Sequence, residues 1–260
     1  MKAGSTTEAR KRMFIRPEIF NKFPELIAAQ STRERGISPY PFGLNLSSHV
    51  GDDPENVEEN RRRFYEAIGI PGGSRFVYQN QIHSGNVNVV SGNEGIVRES
   101  DSLVTAEPNV FLAVSIADCT PILFYDPITK LIAAVHAGWR GTEQLITVNA
   151  VRKLLSLGAD AGNIYAFIGA SASGAHYEVG SEVATLFEKD YYRELPNGKC
   201  LLDIKKANRD QLLILGVPFE QIEICSRCTI TDLNLHSYRR DGKKSGRMFA
   251  VIGRVEAVKG

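Results

Sequence analysis

A mixed helix-and-strand fold in one undivided domain is what this sequence predicts, on three observations. Apolar runs of strand length recur, among them Phe111 to Ile116, Leu131 to Val135, Ile164 to Ile168 and Phe249 to Val255. Segments with helical periodicity lie between them, at 54–68, 142–157 and 201–215. No internal repeat, low-complexity tract or linker divides the 260 residues, and 43% hydrophobic content suffices for a sizeable core.

Taken in order, residues 1–12 are polar and charged and read as a flexible leader without the apolar centre of a signal peptide, leaving 13–260 as the domain. Phe20, Phe23, Leu26 and Ile27 supply a short buried element. STRERGISPYPFGLNLSSHVGDD, rich in Gly, Pro and Ser, is a long irregular segment of the kind that often carries function. Asp53 is a good N-cap with Pro54 at the first helical position; Val57, Phe64 and Ile68 mark the helix's apolar face and Gly69 its end. Arg61 to Arg63 sweep about 300° of that helix, so they form a solvated face with at least one arginine turned elsewhere.

Arg75 to Ile82 reads as a strand with His83 directly behind it, and Asn86 to Val90 resumes the pattern. Thr142 to Leu157 reads as an amphipathic helix stopped by Gly158, and its start, directly after HAGWRG, would favour an anion. Ile164 to Ile168 opens onto the small-residue loop GASASGA at 169–175. Val179 to Lys189 and Leu201 to Leu215 read as helices, the second starting at Asp203 and ending at Gly216 with Pro218 beyond. Ile222 to Cys225 is a short strand, HSYRRDGKKSGRM a basic loop, and Phe249 to Val255 the closing strand.

With 31 basic and 30 acidic residues, the chain offers no global electrostatic case for nucleic acid or membrane. No apolar run approaches the roughly 20 residues a spanning helix needs. Four scattered cysteines make no disulfide framework, and a cytoplasmic, reducing location is expected.

The chemistry gathers in SIADCTPILFYDPITKLIAAVHAGWRG, where Cys119 follows one apolar run and His136 the next, while His83 ends a third. A plain hairpin of the two runs would keep Cys119 and His136 apart. Pro121, which cannot donate to a central ladder, is therefore expected to break the strand and make Ile122 to Tyr125 a separate element. Two imidazoles and a thiolate suit a divalent ion such as zinc with its fourth position open. The same residues would serve Cys119 as a nucleophile with His83 or His136 as base, and Asp118 could orient either histidine in both schemes. The bland alternative is a buried thiol and two satisfied histidines. Cys225 and Cys228 form a CxxC without a second pair, and burial accounts for them most simply. Arg239 and Arg240, with Lys243, Lys244 and Arg247, would suit a phosphate, though Asp241 weakens a simple anion trap.

The motifs QIHSGNV, ADCTPILFYDP, AAVHAGWRGT, HYEVG, LLDIKKANRDQL and HSYRRDGKKSGRM, in that order between about Thr32 and Ile252, resemble the YfiH/laccase-domain family, called polyphenol oxidases in name and including purine nucleoside phosphorylases. The resemblance implies an α+β single domain with helices packed outside two β-layers, an α/β/β/α-like arrangement. It implies zinc, with copper a lesser alternative, on His83, Cys119 and His136. It further implies phosphorolysis of purine nucleosides (adenosine, inosine, guanosine, methylthioadenosine) and deamination of adenosine to inosine. Asp118, Cys119 and His136 are then the catalytic candidates, and Asn45, Gln81, Arg140, Arg239 and Arg240 the candidates for binding nucleoside and phosphate. The arginine roles rest on charge and position. The expected partners are those small molecules, without nucleic acid or membrane, and the expected state is a monomer or homodimer. GASASGAHYEV lacks the prolines and cysteine that relatives often carry there, which bears on loop shape and substrate preference but leaves the zinc ligands untouched. Two other readings are a hydrolase that edits cell-wall precursors and a copper-dependent polyphenol oxidase. The oxidase is disfavoured because blue and trinuclear copper together need many more than five histidines.

Overall fold

The computed structural model describes residues 12–256. Its strands among those residues are β1 (Phe14–Ile15), β2 (Leu26–Ser31), β3 (Arg75–Gln79), β4 (Val87–Val89), β5 (Ile96–Val97), β6 (Ser102–Thr105), β7 (Val110–Ile116), β8 (Thr120–Tyr125), β9 (Ile132–Ala137), β10 (Tyr165–Ile168), β11 (Glu178–Val179), β12 (Tyr192–Glu194), β13 (Cys200–Leu202), β14 (Ile222–Ile224) and β15 (Met248–Arg254). They form one sheet in the order β1-β2-β15-β7-β3-β5, a second in the order β14-β10-β8-β9-β6-β4, and a small third sheet, β11-β13-β12. The helices are α1 (Pro54–Ile68), α2 (Trp139–Glu143), α3 (Ile146–Ser156), α4 (Ser181–Ala184), α5 (Ile204–Ile214) and α6 (Tyr238–Asp241).

Alternation along the central strands builds the layers. Leu112 and Val114 of β7, Ala250 and Ile252 of β15, Leu123 and Tyr125 of β8, and Ile132 and Ala134 of β9 meet in the core between the two large sheets. The intervening residues face outward into separate cores. Phe111, Ala113 and Val251 pack under Phe64 and Ile68 of α1. Ile122, Phe124, Ala133 and Val135 pack under Ile146, Ala150, Val151 and Leu154 of α3 and Leu212 of α5. Helix, sheet, sheet, helix is thus the observed order, as the family resemblance implies. Burial on both faces explains why β7 and β9 read as continuous apolar runs.

Several elements follow their sequence signals closely. Asp53 accepts the Glu55 N–H at 2.8 Å, and Gly69 closes α1 at φ 88°, a conformation glycine adopts without penalty. Arg61 turns away from its neighbours to donate to the Leu46 carbonyl at 2.7 Å. Buried Asn60 fixes the irregular segment before α1: its amide reaches Ser38 Oγ and the carbonyls of Gly43 and Asn45, and its oxygen accepts from Ile37 N. Asp203 caps α5 through Lys206 N.

Others differ. The break expected at Pro121 lies earlier, at Ala117 to Cys119, where Asp118 takes φ 96°; Pro121 sits inside β8 opposite His136. Proline is tolerated there because its carbonyl accepts from Gly169, one residue past the end of β10, so no ladder donor is called for. Thr142 to Leu157 is split into α2 and α3 at Leu145, which is left-handed at φ 60°. Thr142 lies within α2, buried, and accepts from Asn208 Nδ2 at 3.0 Å; the helix start lies three residues earlier than expected, at Trp139 directly after Gly138. Of the helix expected over Val179 to Lys189 only α4 and a short 3₁₀ turn form, and the basic loop contains α6. Residues 1–11 of the expected leader lie outside the described residues, while the Arg12 carbonyl accepts from Thr32 Oγ1 at 2.7 Å. Among the described residues no helix is long and apolar enough to cross a membrane.

Candidate metal centre and active site

β8 and β9 form a hairpin whose register pairs Thr120 with Ala137 and Pro121 with His136. Cys119, one residue before β8, therefore stands at its open end beside His136. β7 belongs to the other sheet, which removes the geometric conflict of a hairpin between the two apolar runs. His83 arrives from the loop after β3 at φ 61°. The possible donor atoms of His83, Cys119 and His136 all lie within 4.8 Å of one another, and the two imidazoles meet edge-on with centroids 4.9 Å apart. Gly138 permits this approach: a Cβ there would lie 3.0 Å from Cys119 Sγ and 3.1 Å from the His83 ring.

Asp101, fully buried, organises the cluster. Its Oδ1 lies 2.8 Å from His136 Nδ1 and accepts from His83 N at 3.0 Å, while Oδ2 accepts from the backbone of Ile82 and Ser84 and from Ser84 Oγ. With Nδ1 held by the carboxylate, Nε2 of His136 is left as the donor to a metal. Burial alone would raise the Asp101 carboxyl, but His136 and Ser84 hold it down at about 2. Burial likewise opposes charge on Cys119 and His136, yet each favours the other's charged form. The thiol is lowered to about 6 and the imidazole raised to about 9. A thiolate nucleophile or metal ligand is thus available near neutral pH.

The remaining candidates are placed unevenly. Asp118 touches neither histidine: it accepts from Thr229 Oγ1 and from Arg239 N, both at 2.6 Å, and so pins the basic segment to the β7–β8 corner. Gln81 exchanges two hydrogen bonds with the Ser115 backbone. Asn45 is buried and engaged by Ser47, Asp52 and Arg247. The Arg240 guanidinium is taken up by the carbonyls of Thr229 and Leu235 and by Asp241, leaving it a structural strut where a phosphate ligand was expected. Arg140 and Arg239 are exposed, the first 4.4 Å from the Trp139 ring centroid and the second 5.1 Å from that of Tyr177. The small-residue loop packs tightly behind the corner, with Ala172 N bonded to the Asp118 carbonyl and Ala170 clasped by Gln30. Cys225 donates its N–H to the Ile168 carbonyl at 2.8 Å, Cys228 bridges Ser171, and both are free thiols.

Residues 27–255 match the family described as multi-copper polyphenol oxidoreductase laccase. The chain belongs to this family. Within it, a protein from Corynebacterium glutamicum named purine nucleoside phosphorylase is 40% identical over 233 residues, covering 85% of this chain and 92% of that one. The crystal structure of YlmD from Geobacillus stearothermophilus superposes with a TM-score of 0.87 at 34% identity, covering 95% of this chain and 97% of that one. That of a Bacillus licheniformis protein described as hypothetical protein YfiH gives 0.87 at 29%, covering 94% and 97%. The α/β/β/α arrangement is therefore that of the solved YlmD and YfiH structures. The donor set fits a borderline or soft metal: thiolate with imidazole selects zinc or copper over magnesium or calcium.

Proposed function

We propose that the protein is a zinc-dependent purine nucleoside phosphorylase that also deaminates adenosine. The observation that carries this reading is the His83, Cys119 and His136 cluster held by Asp101. The name of the C. glutamicum relative supports the phosphorylase part of it. Three protein donors leave one zinc position open, and zinc bound there would supply Lewis acidity and activate water for deamination.

The chain's own residues do the rest. In phosphorolysis an oxygen of hydrogen phosphate bonds to the anomeric carbon as the bond from that carbon to the purine nitrogen breaks, and the proton of the hydrogen phosphate ends on the departing base. Arg140 and Arg239, the second with one guanidinium nitrogen already donating to the Glu178 carbonyl, are the cations nearest the cluster that could offset phosphate charge. Asp118 holds Arg239 through its backbone N–H, so its role in this reading is to position the cation. Asp101 fixes the orientation of His136. A copper oxidase is disfavoured by the histidines: His49, His176 and His236 stand outside the cluster.

The test is to incubate the zinc-loaded protein with adenosine, with and without phosphate, and follow adenine, ribose 1-phosphate and inosine. Phosphate-dependent adenine release and phosphate-independent inosine are expected, both lost in Cys119→Ala. Formation of neither product rejects the reading.

A further inference from the structure

The small-residue loop at 169–175 and the turn at 228–231 hold a second cluster of reactive side chains besides the metal centre. Cys228 Sγ accepts the N–H of Ser173 at 3.4 Å, and the Ser173 hydroxyl, hydrogen-bonded to the same sulfur, lies 3.1 Å from His176 Nδ1. Sulfur, hydroxyl and imidazole therefore form a relay from a nearly buried thiol to an exposed histidine. Lys205, buried on α5, donates to the carbonyls of Cys225 and Arg227 at 2.6 and 3.0 Å, which sets an ammonium beside the peptide that joins Arg227 to Cys228.

This arrangement suits a thiolate. Burial opposes charge on Cys228, yet the Ser173 hydroxyl and the N–H groups of Ser173, Thr231 and Ile230 outweigh it and lower the thiol to about 6. At 8% exposure the sulfur admits only a small reagent. The other thiols differ: Cys119 is a candidate metal donor, Cys200 is 2% exposed within an apolar core, and Cys225 packs against the core between the large sheets.

We propose that Cys228 is a modification site for a small hydroperoxide, which converts it to a sulfenic acid with Ser173 and His176 as the proton relay. The thiol proton passes through Ser173 Oγ to His176. The sulfur then bonds to one peroxide oxygen as the O–O bond breaks; sulfur is oxidised by an electron pair, and the same proton returns to the departing hydroxide, which leaves as water. The site is independent of the phosphorylase reading, since its chemistry touches neither zinc nor nucleoside.

Zinc-loaded protein at pH 7 is treated with hydrogen peroxide, sulfenic acid is trapped with dimedone, and the labelled cysteine is found by peptide mass spectrometry. Label should accumulate on Cys228 well ahead of Cys200 and Cys225. Ser173→Ala should slow labelling about 2- to 10-fold, the loss of thiolate expected when a hydrogen bond to the charged sulfur is removed. His176→Gln, at an exposed position, should slow it as well. Labelling of Cys228 no faster than that of Cys200, or rates unaffected in both variants, overturns the site. Label that reaches Cys228 only in urea overturns it too, because that marks an ordinary buried thiol.

Discussion

Asp101 Oδ1 and His136 Nδ1 lie 2.8 Å apart, both groups almost wholly enclosed by protein. The same oxygen takes the backbone N–H of His83, so one carboxylate positions two of the three candidate metal donors. Asp101→Asn should therefore lower zinc affinity roughly 10- to 100-fold while far-UV circular dichroism stays native. Competition against a chromogenic chelator measures this. An unchanged affinity would mean that the carboxylate only shapes the loop.

A side chain at Gly138 would fit only if its neighbours gave way by a few tenths of an ångström. In Gly138→Ala the new methyl would press on Cys119 Sγ at 3.0 Å and on the His83 ring at 3.1 Å. The variant should lose about 1–3 kcal/mol of stability and bind zinc more weakly, read by urea unfolding and by metal content after dialysis. Wild-type metal content would show that the donors can spread without cost.

Neighbouring arginines should separate cleanly. Arg240→Ala strips partners from the carbonyls of Thr229 and Leu235, and should cost about 2–3 kcal/mol in urea unfolding. Arg239→Ala, at an exposed position, should shift stability by no more than about 0.5 kcal/mol while raising KM for phosphate in the phosphorolysis assay. The opposite pattern would assign the anion to Arg240.

His236 is buried with neither ring nitrogen hydrogen-bonded, and burial, reinforced by Arg33 and Arg247, lowers its pKa to about 3. The unfolded chain, with an ordinary histidine pKa, binds the proton first. Stability is therefore full above about pH 6.5 and falls as the pH drops toward 3, by about 1.4 kcal/mol for each unit within that window. His236→Phe should remove this component. Urea unfolding of both proteins at pH 7 and pH 5 gives the comparison, and parallel pH profiles would show that the imidazole is protonated in place.

The sandwich was largely legible because β7, β8, β9 and β15 are apolar over most of their length and α1 and α5 carry ordinary caps. The donors were legible only together: Cys119 and His136 stand at the ends of apolar runs, but the family motifs single them out with His83. Asp101 was missed because Glu99-Ser100-Asp101 looks like any polar turn. Its importance arises from the β6–β9 register, which pairs Ser102 with Val135 and thereby brings Asp101 to His136. Leu145 breaks its helix without a Gly or Pro to announce it, so the split between α2 and α3 left no trace in the local sequence. Arg240 shows the limit of reasoning from charge, since composition cannot tell a guanidinium aimed at solvent from one saturated by carbonyls.

Asp118 sits one residue before Cys119, and its carboxylate grips the backbone of Arg239. The sulfur and the cation near Tyr177 are thus surveyed from one benchmark. When the two sheets breathe against each other, the spacing between that cation and the thiolate should hold steady, because both move with the same corner.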